Sequence, residues 1–166
     1  KNKKIQHSRE TRRPIMTRNL QGEDVSKRVL QQFPGTDVSW DRNSFWVEPH
    51  TIRDIAGHLK NDPSLAFNYL NSITAVDYVD HFELVYHLTS FEHNHAVVMK
   101  AKVYGRDDPE IPSVVPVWPG ANFQEREIWD LMGVRFEGHP NHKRIMLWEG
   151  FPGHPHRKDF EDAVNY

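Results

Sequence analysis

Apolar residues recur along this chain first at helical spacing, then in strict alternation, then at helical spacing again, and each change of period marks an element. In "GEDVSKRVLQQFPG", Val25, Val29, Leu30 and Phe33 share one helical face, and Pro34 with Gly35 ends it. "TDVSW" and "SFWVEP" read as two strands joined by a turn at residues 41–43. A second helix carries Ile52, Ile55, Ala56 and Leu59 on one side and stops at Asn61, Asp62 and Pro63. "FNYLNSITAVDYVD" is β-branched and aromatic enough for a strand, straight or bent. Phe82, Leu84, Tyr86 and Leu88 then alternate, "EHNHA" turns the chain, and Val97, Met99, Ala101 and Val103 alternate on the way back, which predicts a hairpin.

Beyond Asp107 the texture changes. Seven of the eleven prolines fall between Pro109 and Pro155, so regular structure persists there only in short pieces. A short helix is predicted at "IPSVVPVW" and a firmer one from Asn122 to a stop at Gly133, with the rest extended and irregular. The fold class is therefore α+β: a small mixed sheet with flanking helices and a long, Pro-rich extended C-terminal arm. The organisation expected is a basic flexible N-terminal arm (1–20), an α/β domain ending in the charged helix (21–134), and a C-terminal docking arm (135–166).

The helix from Asn122 poses the main question. At about 100° per residue, Ile128, Trp129, Leu131 and Met132 span one side, while Arg126, Glu127 and Asp130 share the other, with Arg126 and Asp130 spaced to pair. On this wheel Glu127 and Asp130 face solvent or a partner. Glu125 points into the middle of the apolar side. It reads either as the reciprocal half of a capping box with Asn122, or as one of three carboxylates, with Glu127 and Asp130, reaching a partner's basic groups. Glu125 and Asp130 point roughly 140° apart on an ideal helix, which argues against a paired-carboxylate active site.

A length of 166 residues, 37% hydrophobic and 11% aromatic, provides for one modest core. There is no apolar run of about 18 residues and no secretory signal is read. With no cysteine the chain offers no thiolate to an iron–sulfur cluster, which fits a reducing compartment. Lys1, Lys3, Lys4, Arg9, Arg12, Arg13 and Arg18 face only Glu10 in the N-terminal stretch, a basic arm able to lie on RNA, anionic lipid or an acidic partner, but read more simply as a solvated tail. Of the eleven histidines, His139, His142, His154 and His156 invite a metal reading, yet no HExxH or Cys–His spacing supports one. Neither a nucleotide cradle nor a G-x-S-x-G nucleophile is present.

The C-terminal third resembles the C-subunit family of respiratory complex I, the 30 kDa subunit of NADH:quinone oxidoreductase. The resemblance rests on Glu125, Arg126, Glu127, Asp130, Leu131, Met132, His139, Lys143, Ile145 and Met146, with "PSVVPVWPGANFQ" as lead-in and "GHPHRKDF" as tail. It extends upstream to about Leu70 and departs from the family pattern at Trp148, Gly150, Phe151 and His156. The resemblance implies a non-catalytic structural subunit in the peripheral arm of a proton-translocating complex on the cytoplasmic face of the plasma membrane. It further implies docking on the large hydrogenase-like subunit (49 kDa, D type) near the quinone site, with other peripheral-arm subunits as neighbours. The interface residues it points to are Glu125, Arg126, Glu127, Asp130, His139, Lys143, Arg144, His154, Arg157, Lys158 and Asp159. No cofactor, metal or nucleic acid is expected on this chain, with FMN, iron–sulfur clusters and quinone carried by other subunits. The same pattern serves ferredoxin-linked complexes and membrane-bound hydrogenases, and a free-standing metal- or RNA-binding module is the alternative of a different class.

Overall fold

The computed structural model of the protein describes residues 16–161. Its centre is a mixed sheet built around the long hairpin of β5 (His81–Ser90) and β6 (His95–Tyr104), antiparallel from His81 opposite Tyr104 to Ser90 opposite His95. β4 (Tyr69–Asp77) lies antiparallel to β5, with one register shift between Leu70 and Ser72. On the other flank β3 (Ser44–Val47) runs parallel to β6 and pairs with β2 (Val38–Trp40) across the predicted turn. Strand order is thus β2-β3-β6-β5-β4, and a two-residue strand, β1 (Arg18–Asn19), joins the start of β6 in parallel.

Alternation decides which side faces the core. Phe82, Leu84, Tyr86 and Leu88 of β5 and Val97, Met99, Ala101 and Val103 of β6 all point inward and are buried. Three helices contribute to that core, α1 (Gly22–Gln32) through Val25 and Val29, α2 (Ile52–Asn61) through Ile52, Ile55, Ala56 and Leu59, and α3 (Ala121–Met132) through Ala121 and Ile128. Gly22 is required where α1 starts, because a Cβ there would collide with the Ser44 and Asp41 carbonyls. A 3-10 turn over Pro49–Thr51 leads into α2, with the proline at a helix start where its missing N–H costs nothing.

Where prolines crowd, the structure departs from the predicted elements. "IPSVVPVW" is not a helix. Its first residues close strand β7 (Glu110–Pro112), parallel to β8 (Arg135–Glu137), and the rest is a turn in which Val117 and Trp118 both donate to the Val114 carbonyl. Pro112 and Pro116 supply no N–H to propagate a helix. α3 (Ala121–Met132) starts one residue before Asn122 and ends as expected, on Gly133 at φ +76°. After β8 the described chain holds no helix or strand, yet it does not project as a free arm. His156 N–H reaches the Leu131 carbonyl at 2.9 Å and Lys158 N–H reaches Asp77 at 2.8 Å, so the segment lies on its own domain. The basic stretch 1–20 lies outside the described residues as far as position 15. Its end is β1, fixed by Arg18 N–H to Asn94 O and Leu20 N–H to Ala96 O.

Candidate partner interface

Glu125 is fully buried between α3 and the turn after β7. Ser113 Oγ–H donates to one of its carboxylate oxygens at 2.6 Å and Val114 N–H to the other at 2.7 Å. The capping-box reading is therefore overturned: Gly120 occupies the N-cap, Asn122 N–H goes to the Pro119 carbonyl, and the Glu125 carboxyl points inward instead of back along the helix. Burial pushes Glu125 up to about 7 against the pull of its two donors. His139 sits beside it, Nε2 at 3.9 Å from Oε2. The imidazole Nδ1 accepts Asn141 N–H at 3.0 Å, so the proton is on Nε2, where it serves the Asn122 carbonyl at 3.1 Å. Burial lowers His139 below the usual histidine range, consistent with a neutral ring.

One turn further, Asp130 organises the C-terminal segment. Its Oδ2 accepts three successive backbone N–H groups, from Ile145 (2.9 Å), Met146 (2.7 Å) and Leu147 (3.0 Å), while Arg144 grips Oδ1 at 2.7 Å. Burial alone would lift this carboxyl, but the backbone donors and Arg144 bring it down to about 2. Asp130 is completely buried, so it does not face solvent or a partner as the helical wheel predicted. Nor does it pair with Arg126, whose guanidinium donates to the carbonyls of Lys143 and Arg144 at 3.0 and 3.2 Å. The same Arg144 fork reaches the Phe151 and Gly153 carbonyls, and His154 Nδ1 bonds the Asp130 carbonyl at 2.9 Å. Gly133 keeps this corner tight: a Cβ there would lie 2.6 Å from the His154 ring.

A second anchor holds the end of the segment. Arg106 binds Asp77 through both terminal nitrogens, at 2.7 and 3.0 Å, and gives its Nε–H to Asp159 at 2.7 Å. Arg157 donates to Asp159 and to the Arg106 carbonyl, and both guanidiniums lie over the Phe82 ring. Hydrogen bonds from Arg106 hold Asp77 and Asp159 below the ordinary carboxylate range.

Most of the eleven residues singled out in the sequence thus work inside the chain. Glu125, Arg126, Asp130, His139, Arg144, His154, Arg157 and Asp159 bind their own protein, whereas the side chains of Glu127, Lys143 and Lys158 are turned outward. What this framework displays is apolar: Met146 is 63% exposed, Trp148 65% and Phe123 64%, and Ile145 is exposed as well. Sequence reasoning missed Ser113, Asp77, Arg106 and the packing of Trp129 against His142, with rings 4.4 Å apart. Asp77 had left a signal, as a carboxylate at an inward-facing position of a strand. A concave surface of about 760 Å³ between α1 and α2, lined by Arg28, His58, Asp62 and His95, involves none of these residues. Among the described residues no group of three or more His, Cys, Asp or Glu side chains is placed to hold a metal.

The family described as the respiratory-chain NADH dehydrogenase 30 Kd subunit matches residues 45–165 of this chain. The second C-type subunit of NADH-quinone oxidoreductase from Rhizobium etli (strain CIAT 652) is 46% identical over 119 residues, which is 70% of this chain and 63% of that protein. The C-type subunit of NADH-quinone oxidoreductase from Herpetosiphon aurantiacus is 40% identical over 140 residues, 81% of each chain. The probable mitochondrial NADH-ubiquinone oxidoreductase 30.4 kDa subunit of Candida maltosa is 43% identical over 136 residues, so this chain spans only 48% of its length. Among solved structures, a chain of the membrane-bound sulfane sulfur reductase, an archaeal respiratory membrane complex, superposes with a TM-score of 0.67 at 33% identity, covering 86% of both chains.

Proposed function

This chain belongs to the 30 kDa subunit family of respiratory-chain NADH dehydrogenase, and from that premise we propose that it is a non-catalytic, assembly-supporting subunit of a proton-translocating NADH:quinone oxidoreductase. In this reading it docks through residues 135–161 on the large hydrogenase-like subunit near the quinone site, peripherally at the cytoplasmic face of the membrane. FMN, iron–sulfur clusters and quinone belong to its partners. No helix among the described residues is long and apolar enough to cross a membrane.

The observation that carries the proposal is the Asp130 clasp. Three N–H groups and a guanidinium converge on one buried carboxylate, and the stretch they fix turns Met146 and Trp148 outward. A fixed apolar display loses little conformational entropy on docking, which is what an assembly surface needs. Glu127, Lys143 and Lys158 supply the polar rim.

The test is co-purification with a tagged chain. The large hydrogenase-like subunit is expected in the eluate, and the double substitution Met146→Asp with Trp148→Asp is expected to cut its recovery at least tenfold, corresponding to about 1.4 kcal/mol or more, without changing the melting temperature of the isolated chain. Undiminished recovery, or flavin, iron or quinone bound stoichiometrically to the purified chain, would overturn the reading. The likeness to the sulfane sulfur reductase chain supports a second version of the same role, in a related membrane-bound complex. Identification of the electron-input subunit in the eluate separates the two.

A further inference from the structure

We propose that Glu125 is carried as a neutral carboxylic acid that donates its proton to Ser113 Oγ, so that the joint between α3 and the 113–118 turn is operated by a proton. The carboxyl is fully buried, and its hydrogen-bond partners are a hydroxyl and one backbone N–H, both neutral. No element packed around it puts a cation in hydrogen-bonding contact with the carboxyl. From α2, Arg53 spends its guanidinium on the Ser113 and Glu137 carbonyls, at 2.8 and 2.6 Å. From the segment after β8, His139 approaches to 3.9 Å, but its Nε2–H is committed to Asn122 O and its Nδ1 to Asn141 N–H. From β5, the Tyr86 hydroxyl is buried with no hydrogen-bond partner. On α3 itself, Arg126 reaches away toward the Lys143 and Arg144 carbonyls.

Ionised, this carboxylate would have two neutral donors and no cation bonded to it, Arg53 attracting it only through space, in a setting where an unpaired charge is least tolerated. Protonated, it keeps the same heavy-atom contacts with the Ser113 bond reversed, and the Ser113 O–H is released from the carboxyl. Ser113 Oγ already accepts Val115 N–H at 3.2 Å, and a hydroxyl has a second lone pair to take the acid O–H across the 2.6 Å contact. The other carboxyl oxygen still accepts from Val114. The joint therefore holds while the proton is bound, and is strained when the proton leaves for solvent as pH rises. Burial, the largest influence on this group, acts in the same direction.

Infrared difference spectroscopy of the wild-type chain against Glu125→Gln tests this directly, because glutamine keeps the shape and replaces the acid O–H with an amide N–H. Expected are a carbonyl band of a protonated carboxylic acid at mildly acidic pH, its loss in a single-proton transition centred near neutrality, and its absence from E125Q. The melting temperature of E125Q should equal that of wild type in mild acid and fall less steeply with rising pH. Two results would overturn the proposal: a wild-type titration with no such band above the ordinary carboxylate range, or an E125Q chain that melts in mild acid as low as E125A. Should E125Q fail to fold, the wild-type titration decides alone.

Discussion

Asp130 Oδ2 shows how much one atom can hold. A lone carboxylate in a buried position would be destabilising, but here its lone pairs meet three consecutive N–H groups that would otherwise be unpaired, since residues 145–147 belong to no helix or strand. The interaction is mutual: the acid is solvated by backbone, and the backbone is given a shape. Substituting Asp130→Asn keeps the volume but turns an N–H₂ toward either Arg144 or the three amides. We expect a loss of about 3 kcal/mol, hence roughly 6–12 °C in melting temperature. Hydrogen exchange at Ile145, Met146 and Leu147 should accelerate together, and protection that survives at these three amides would mean that other contacts hold the segment.

Among the elements, the hairpin, α1 and α2 were legible because each buries one face and its period is written in apolar residues, and β4 because its residues are β-branched and aromatic. The anomaly on α3 was legible too, since the helical wheel put Glu125 in the apolar face, where it indeed lies. Its partner was not: Ser113 belongs to a turn fixed by tertiary contacts, and no local pattern connects it to a residue twelve positions on. Asp130 was misplaced for a related reason, because the wheel shows direction from the helix axis and not what the following segment folds over it. Arg106 was missed because a single arginine after a strand looks like any solvated charge, although it ties the end of β4 to the end of the described chain. Replacing it (Arg106→Met) leaves Asp77 buried without its cation and should cost about 2 kcal/mol or more. The distinguishing readout is spatial. Exchange should quicken at residues 157–160 while α3 keeps its protection, and equal loosening of both would show that the two anchors act as one.

At the scale of the whole molecule, the hydrogen-bonded carboxyls oppose one another in their response to pH. Asp77, Asp130 and Asp159 are all held below their ordinary range, so the stability they contribute is present above about pH 4 and is lost as pH falls toward about 2, the value for Asp130. Glu125 is shifted the other way, from 4.5 to about 7, so its contribution is complete below 4.5 and is lost as pH rises through about 7. Melting temperature plotted against pH should therefore pass through a maximum in mild acid. A curve still climbing through neutrality would show that Glu125 is ionised without penalty. Family membership and this framework together describe a chain whose charged signature is directed mainly inward, leaving apolar groups for its surroundings.

The parallel pairing of β3 with β6 carries a consequence for biosynthesis. Ser44 opposes Val98 and Val47 opposes Ala101, so β3 leaves the ribosome well before the strand it must join. At about 5–20 residues per second the wait is roughly 3–10 seconds, during which β3 can pair only with β2 and its other edge stays open. The β5–β6 hairpin, being local, can close as soon as it emerges and then receive the waiting strand. A nascent chain stalled before Tyr104 should thus be the form most exposed to edge-to-edge association, and the one most dependent on a chaperone.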